Sequence, residues 1–210
     1  MIRIASSTKR GAPAVRNAKA AFRRHGGILR MSDALRAGVS RRTLYAMRDT
    51  GQVEALARGL YRLVDAPPLA YSDMVTVASK VPHGVAYLIS ALSFHEMTTQ
   101  IPHKVCIAVP RNSEPPRLSY PPLRVVRLSP APYEAGIETH LLDRVPVKVY
   151  SREKTLADCF KHRGEVGLDT VLEAVRMYKA QGRIHVNSIL KYASICRVSH
   201  VARPYLEALL

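Results

Sequence analysis

The sequence predicts an α+β protein, with an N-terminal winged helix-turn-helix followed by a C-terminal α/β domain that ends in helices. Three observations point there. The first 65 residues set out helix, short extended piece, helix, helix and hairpin in that order, punctuated by glycines. Residues 1–65 carry 14 Lys and Arg against 4 acids, a net of +10, whereas residues 66–210 carry 18 against 12. After Pro67-Pro68 apolar strand-like runs alternate with helical patterns.

Met1 to Pro13 lacks apolar periodicity and reads as a flexible basic arm, with Lys9 and Arg10 toward its end. Ala14 to His25 is free of Pro and Gly, and Val15, Ala18 and Phe22 give it one apolar face. Gly26-Gly27 ends that helix. Ile28 to Met31 is a short extended piece. Ser32 is expected to cap a helix from Asp33 to Ala37, and Ser40 a helix from Arg41 to Thr50. Gly38 supplies the left-handed backbone that the tight turn between them needs. Val39, Leu44 and Met47 are expected to face inward, leaving Arg41, Arg42, Thr43, Tyr45 and Arg48 on the open side. Gln52–Leu56 and Leu60–Leu63 read as a hairpin across Ala57-Arg58-Gly59, which is the wing.

Residues 14–66 are therefore expected to form a DNA-binding domain, and 67–210 a second domain. In the second, a helix from Ser72 to Lys80 and another from Val85 to Met97 are expected. Lys104–Val109 and Leu123–Leu128 read as strands, separated by a stiff loop with five Pro between Pro110 and Pro122. Ile137–Leu142 and Val145–Tyr150 form a strand pair around Asp143-Arg144. Four helices follow: one capped by Ser151 and running to about Arg163, then Leu168–Gln181, Val186–Cys196 and Ser199–Leu210.

Composition narrows the function. The chain of 210 residues is 47% hydrophobic and 23% charged, a globular balance, with a formal net charge of +16. A basic module at one end suits nucleic acid, because Lys and Arg displace counterions from phosphates. A solvated basic surface is the plainer alternative. No apolar run reaches ~18 residues, and the first ten residues have no apolar signal segment. The three scattered cysteines, Cys106, Cys159 and Cys196, suit a reducing cytoplasm. The expected place is cytoplasmic and nucleoid-associated, with no membrane partner.

Catalytic motifs are missing. There is no P-loop, no G-x-S-x-G, no G-x-G-x-x-G and no Gly-Ser pair, so the nucleotidyltransferase signature is absent. No acid stands two residues before a Lys, as common metal-dependent nucleases require. Cys159-x-x-His162 and Cys196-x-x-x-His200 supply zinc-type ligands, but the first pair sits in a predicted helix, and buried Cys is an ordinary core residue. His95 lacks a sequence-evident nucleophile or orienting acid. Arg152, Lys154 and Asp158 form a polar group at a helix start, with an internal ion pair as the simplest role. The expectation is no enzyme, no cofactor and no metal.

A family resemblance joins these readings. Gly38-Val39-Ser40-Arg41-Arg42-Thr43-Leu44-Tyr45, then Gly51, then Ala57-Arg58-Gly59-Leu60-Tyr61-Arg62-Leu63, resembles the N-terminal module of the abortive-infection AbiEi antitoxins. Ser90–Thr98 and Ser151–Cys159 resemble later segments of that family, with Lys154 where Arg is usual. The resemblance implies a transcriptional autorepressor that is also the antitoxin of a type IV system. Its toxin is a nucleotidyltransferase with which it forms no stable complex. On the residues themselves, Arg41 and Arg42 are expected to read bases of double-stranded operator DNA, taken to hold inverted repeats. Arg58 and Arg62 are expected at phosphate or minor groove. Two alternatives stay open: a stand-alone regulator whose second domain senses a ligand, and a DNA-processing enzyme guided by the winged helix.

Overall fold

The computed structural model describes residues 11–66, 71–143, 145–182 and 184–209. It is an α+β chain whose contacts divide into two units, one of residues 1–80 with 141–145 and the other of residues 81–140 with 146–210.

The first unit begins with α1 (Gly11–Arg24), then β1 (Ile28–Arg30), α2 (Met31–Arg36), α3 (Arg41–Asp49), β2 (Val53–Ala57), β3 (Leu60–Leu63) and α4 (Ser72–Lys80). Residues 11–13, expected in the arm, are helical; Pro13 is tolerated in a first turn, where its missing N–H has no intrahelical partner. The rest of that arm and Pro67-Pro68 lie outside the described residues. Ser40 caps α3 as expected, accepting from the Thr43 N–H. Ser32 does not cap α2. The helix starts one residue earlier, and the Ser32 hydroxyl turns to Asp33.

β1, β3 and β2 form an antiparallel sheet in that order. A bulge between Ala55 and Ala57 shortens the hairpin tip to Arg58-Gly59, with Gly59 at φ 71°. The Gly59 carbonyl accepts from the Met31 N–H at 2.9 Å, so the tip is pinned to the start of α2. Phe22, Leu29, Val39, Leu44, Met47 and Leu63 are buried together and hold helices to sheet. α4, expected in the second domain, groups with the first unit because its apolar side meets β3 and buries Val75 and Val77.

The second unit contains β4 (Val85–Ala86), α5 (Leu88–Phe94), β5 (Val105–Pro110), β6 (Leu123–Leu128), α6 (Pro130–Glu134) and most of β7 (Ile137–Leu142) and β8 (Val145–Tyr150), whose residues 141, 142 and 145 group with the first unit. Then come α7 (Arg152–Lys161), α8 (Arg163–Val166), α9 (Leu168–Ala180), α10 (Val186–Ile195) and α11 (Ser199–Leu209). Its sheet runs β6-β5-β4-β8-β7, with β5 and β6 parallel, β4 antiparallel to β5 and β4 parallel to β8. The helix expected from Val85 begins three residues later. Val85 and Ala86 bridge two strands distant in sequence, and that pairing satisfies their backbone. α6 was not expected in the Ser-Pro-Ala-Pro run, yet Pro at the first helical position is favourable. The core gathers Tyr87, Leu92, Met97, Tyr150, Leu156 and Phe160.

His95 is buried after α5 and its Nε2–H donates to the Tyr150 carbonyl at 2.6 Å. Burial lowers its pKa from the ordinary value; Arg152 and His140 lower it further, while that hydrogen bond and Glu138 oppose them. His162 is lowered too, first by burial and then by Arg124, Lys161 and Lys154. A lowered histidine means that acid protonates the unfolded chain first. Stability is therefore expected to be full above the unfolded value near 6.5 and to fall as pH drops through and below it. Urea unfolding of the full chain at pH 7.5 and 5.5 measures this, and His95→Asn should flatten the difference. An unfolding free energy that rises on acidification would contradict it.

Candidate nucleic-acid interface

α3 separates its residues by face. Leu44 and Met47 are fully buried, while Arg41, Arg42, Tyr45 and Arg48 are exposed and Thr43 is half-buried. The spacing does this: positions 44 and 47 form an inward stripe, and 41, 45 and 48 lie beside it, about a quarter-turn around the helix toward solvent. Arg41 and Arg42 lie at the N-terminal end. Thr43 is engaged locally, its hydroxyl 2.9 Å from that of Ser40.

Arg48 is held on the surface. Its guanidinium donates to Asp49 at 2.7 and 3.0 Å and lies 5.2 Å from the Tyr45 ring centre. Asp49 raises its pKa, first by hydrogen bonding and then by charge. Such an exposed pair is weak enough to be exchanged for another anion.

Of the two hairpin arginines, only Arg58 reaches outward. It is exposed at the hairpin tip, whereas the Arg62 side chain is only 12% exposed. Arg62 donates to Glu54 at 2.8 Å and to the Ala66 carbonyl at 2.7 Å, so it braces β2 against β3 and the chain beyond. These bonds hold the Arg62 guanidinium inside the hairpin, whereas the sequence reading expected it at phosphate or minor groove.

Two cations that the sequence reading missed complete the surface. Arg30 and Lys80 join Arg41 around a cleft of about 400 Å³, with Ser32 and Gly59 also lining it. The Lys80 ammonium donates to the Arg58 carbonyl. Its pKa is lowered by burial and then by Arg30 and Arg58, a sign of crowded positive charge. No acid lines this cleft. Lys80 comes from a helix beyond the expected domain boundary, so no local motif announced it. The nearest acid on α2, Asp33, is paired with Arg36.

Elsewhere, among the described residues, no group of three or more His, Cys, Asp and Glu is arranged to hold a metal ion. No helix among them is long and apolar enough to cross a membrane.

Comparison with solved structures gives the crystal structure of the RV2827C protein from Mycobacterium tuberculosis, with a TM-score of 0.57 and 15% identity, covering 94% of this chain and 80% of that one. At that identity the likeness is one of fold. A comparison with curated proteins finds no match. Residues 18–64 match the family model described as a transcriptional regulator, AbiEi antitoxin, the family whose motifs the sequence resembles.

Proposed function

We propose that the first unit is a winged helix-turn-helix that binds double-stranded operator DNA, and that the chain is an autorepressor and the antitoxin of a type IV toxin–antitoxin pair. The observation that carries this is the acid-free arc of cations around the start of α3. Arg41 and Arg42 enter the major groove and read base edges, because a planar guanidinium fits guanine O6 and N7 bidentately. Tyr45 lies one turn further along and Arg48 two. Arg58, Arg30 and Lys80 hold phosphates beside the groove and set the register. Arg62 supports the hairpin from inside. The antitoxin role draws on the match over residues 18–64. The partner is a nucleotidyltransferase toxin, acted on without a stable complex and inside the cytoplasm.

The test is the double variant Arg41→Ala/Arg42→Ala in the full chain. It is expected to lose about 10- to 1,000-fold in affinity for its own promoter, more than for scrambled DNA, and to lose repression. It should still rescue cells from the toxin encoded beside it. Equal losses on both DNAs overturn base reading. Failure of the folded double variant to rescue overturns the separation of repression from antitoxicity.

A further inference from the structure

The second unit holds a basic cavity that the DNA-binding reading does not use. β5 and β6 run parallel with Pro110 opposite Leu128, so both strands end at the same edge of the sheet. Crevices beyond the carboxyl ends of parallel strands are where α/β sheets commonly hold ligands. A cavity of about 550 Å³ opens there, a volume typical of small-molecule sites.

Four cations line it: Arg111 after β5, Arg127 on β6, Lys161 at the end of α7 and Arg197 after α10. They come from four separate elements, and none belongs to an ion pair or a side-chain hydrogen bond among the described residues. The lining has one carboxylate, Asp158, and that charge is already answered. Lys154 Nζ donates to its two oxygens at 2.7 and 2.6 Å, and Cys196 Sγ donates at 3.2 Å. Four cations thus share this lining, and among the described residues none of them has an ion-pair partner, which leaves the cavity suited to an anion.

Two details add to this. Arg197 adopts φ 58° just after the helix end, the left-handed position that glycine fills without strain. A long cationic side chain occupies the place instead. Leu128, Pro132 and Ile195 add apolar surface to the same lining, and the Tyr87 ring stands edge-on to His162 at 5.8 Å. The cavity thus offers both cationic and apolar groups in its lining.

We propose that this cavity binds a nucleoside polyphosphate, with the phosphates on Arg111, Arg127, Lys161 and Arg197 and the base against the apolar lining residues Leu128, Pro132 and Ile195. The site lies wholly within the second unit and does not depend on the DNA-binding reading. The test is titration calorimetry of the full chain with ATP, GTP, CTP and UTP, and with inorganic pyrophosphate and adenosine as partial probes. At least one nucleotide is expected to bind saturably, with pyrophosphate competing more weakly and adenosine alone failing. Arg127→Gln and Arg197→Gln, each at an exposed rim position, should weaken binding at least tenfold while leaving thermal unfolding unchanged. Arg41→Ala/Arg42→Ala should bind the nucleotide as the parent does. No saturable binding at millimolar nucleotide overturns the proposal, as does binding that survives both rim substitutions. Pyrophosphate binding as tightly as every nucleotide would overturn the role given to the apolar lining residues. Loss in the Arg41/Arg42 variant alone would place the nucleotide on the other unit and overturn the site.

Discussion

Lys154→Ala is expected to destabilise the chain by about 3–5 kcal/mol, the largest loss from any single substitution considered for this protein. Lys154 has no exposed surface and Asp158 is 1% exposed, yet both sit inside the apolar core of the second unit. Burial pushes the Asp158 carboxyl up from its ordinary value and Lys154 pulls it back. The ammonium also stands 4.2 Å from the Tyr150 ring centre, so it is held by a π face as well as by a carboxylate. Removing Lys154 strands a carboxylate in a medium that cannot solvate it. The double substitution Lys154→Met/Asp158→Leu should lose far less than the two single losses added, because no charge is left behind. Guanidinium unfolding followed by circular dichroism measures all of these. A Lys154→Ala loss below about 1 kcal/mol, or additive losses in the double variant, would show that the pair contributes little.

DNA affinity of the full chain is expected to fall about 40- to 500-fold between 50 and 200 mM salt. That range follows from about three to five phosphates neutralised, at a log–log slope near −0.9 each. The candidates are Arg30, Arg58 and Lys80, with Arg41 and Arg42 adding to the field. Arg58→Ala and Lys80→Ala should each make the slope shallower by about 0.9 and weaken operator and scrambled DNA alike. Arg62→Ala should instead destabilise the hairpin, since it removes two internal hydrogen bonds. Fluorescence anisotropy across a salt series distinguishes these cases. A salt-independent affinity, or an unchanged slope in both cation variants, would rule out this phosphate face.

What the sequence by itself determined is local. The Ser40 cap, the helix stops before Gly38 and Gly51, the hairpin at Gly59 and the Ser151 cap depend on hydrogen bonds and dihedral preferences within a few residues, so they could be read directly. The inward Leu44 and Met47 and the outward Arg41 and Arg42 follow from helical periodicity alone. The strands Leu60–Leu63, Leu123–Leu128, Ile137–Leu142 and Val145–Tyr150 were legible from apolar runs bounded by turn residues. Tertiary structure decided the rest, because the deciding partner lies far along the chain. Val85 and Ala86 are a strand only because β5 and β8 flank them. Arg62 looked like Arg58 until Glu54 and the Ala66 carbonyl claimed its donors. Lys80 reaches the wing from 22 residues beyond Arg58, and the four cations of the second unit meet only at the end of its parallel strands. Lys154 and Asp158 read equally well as a surface pair, since i and i+4 spacing makes the contact while only the surrounding core makes it dry.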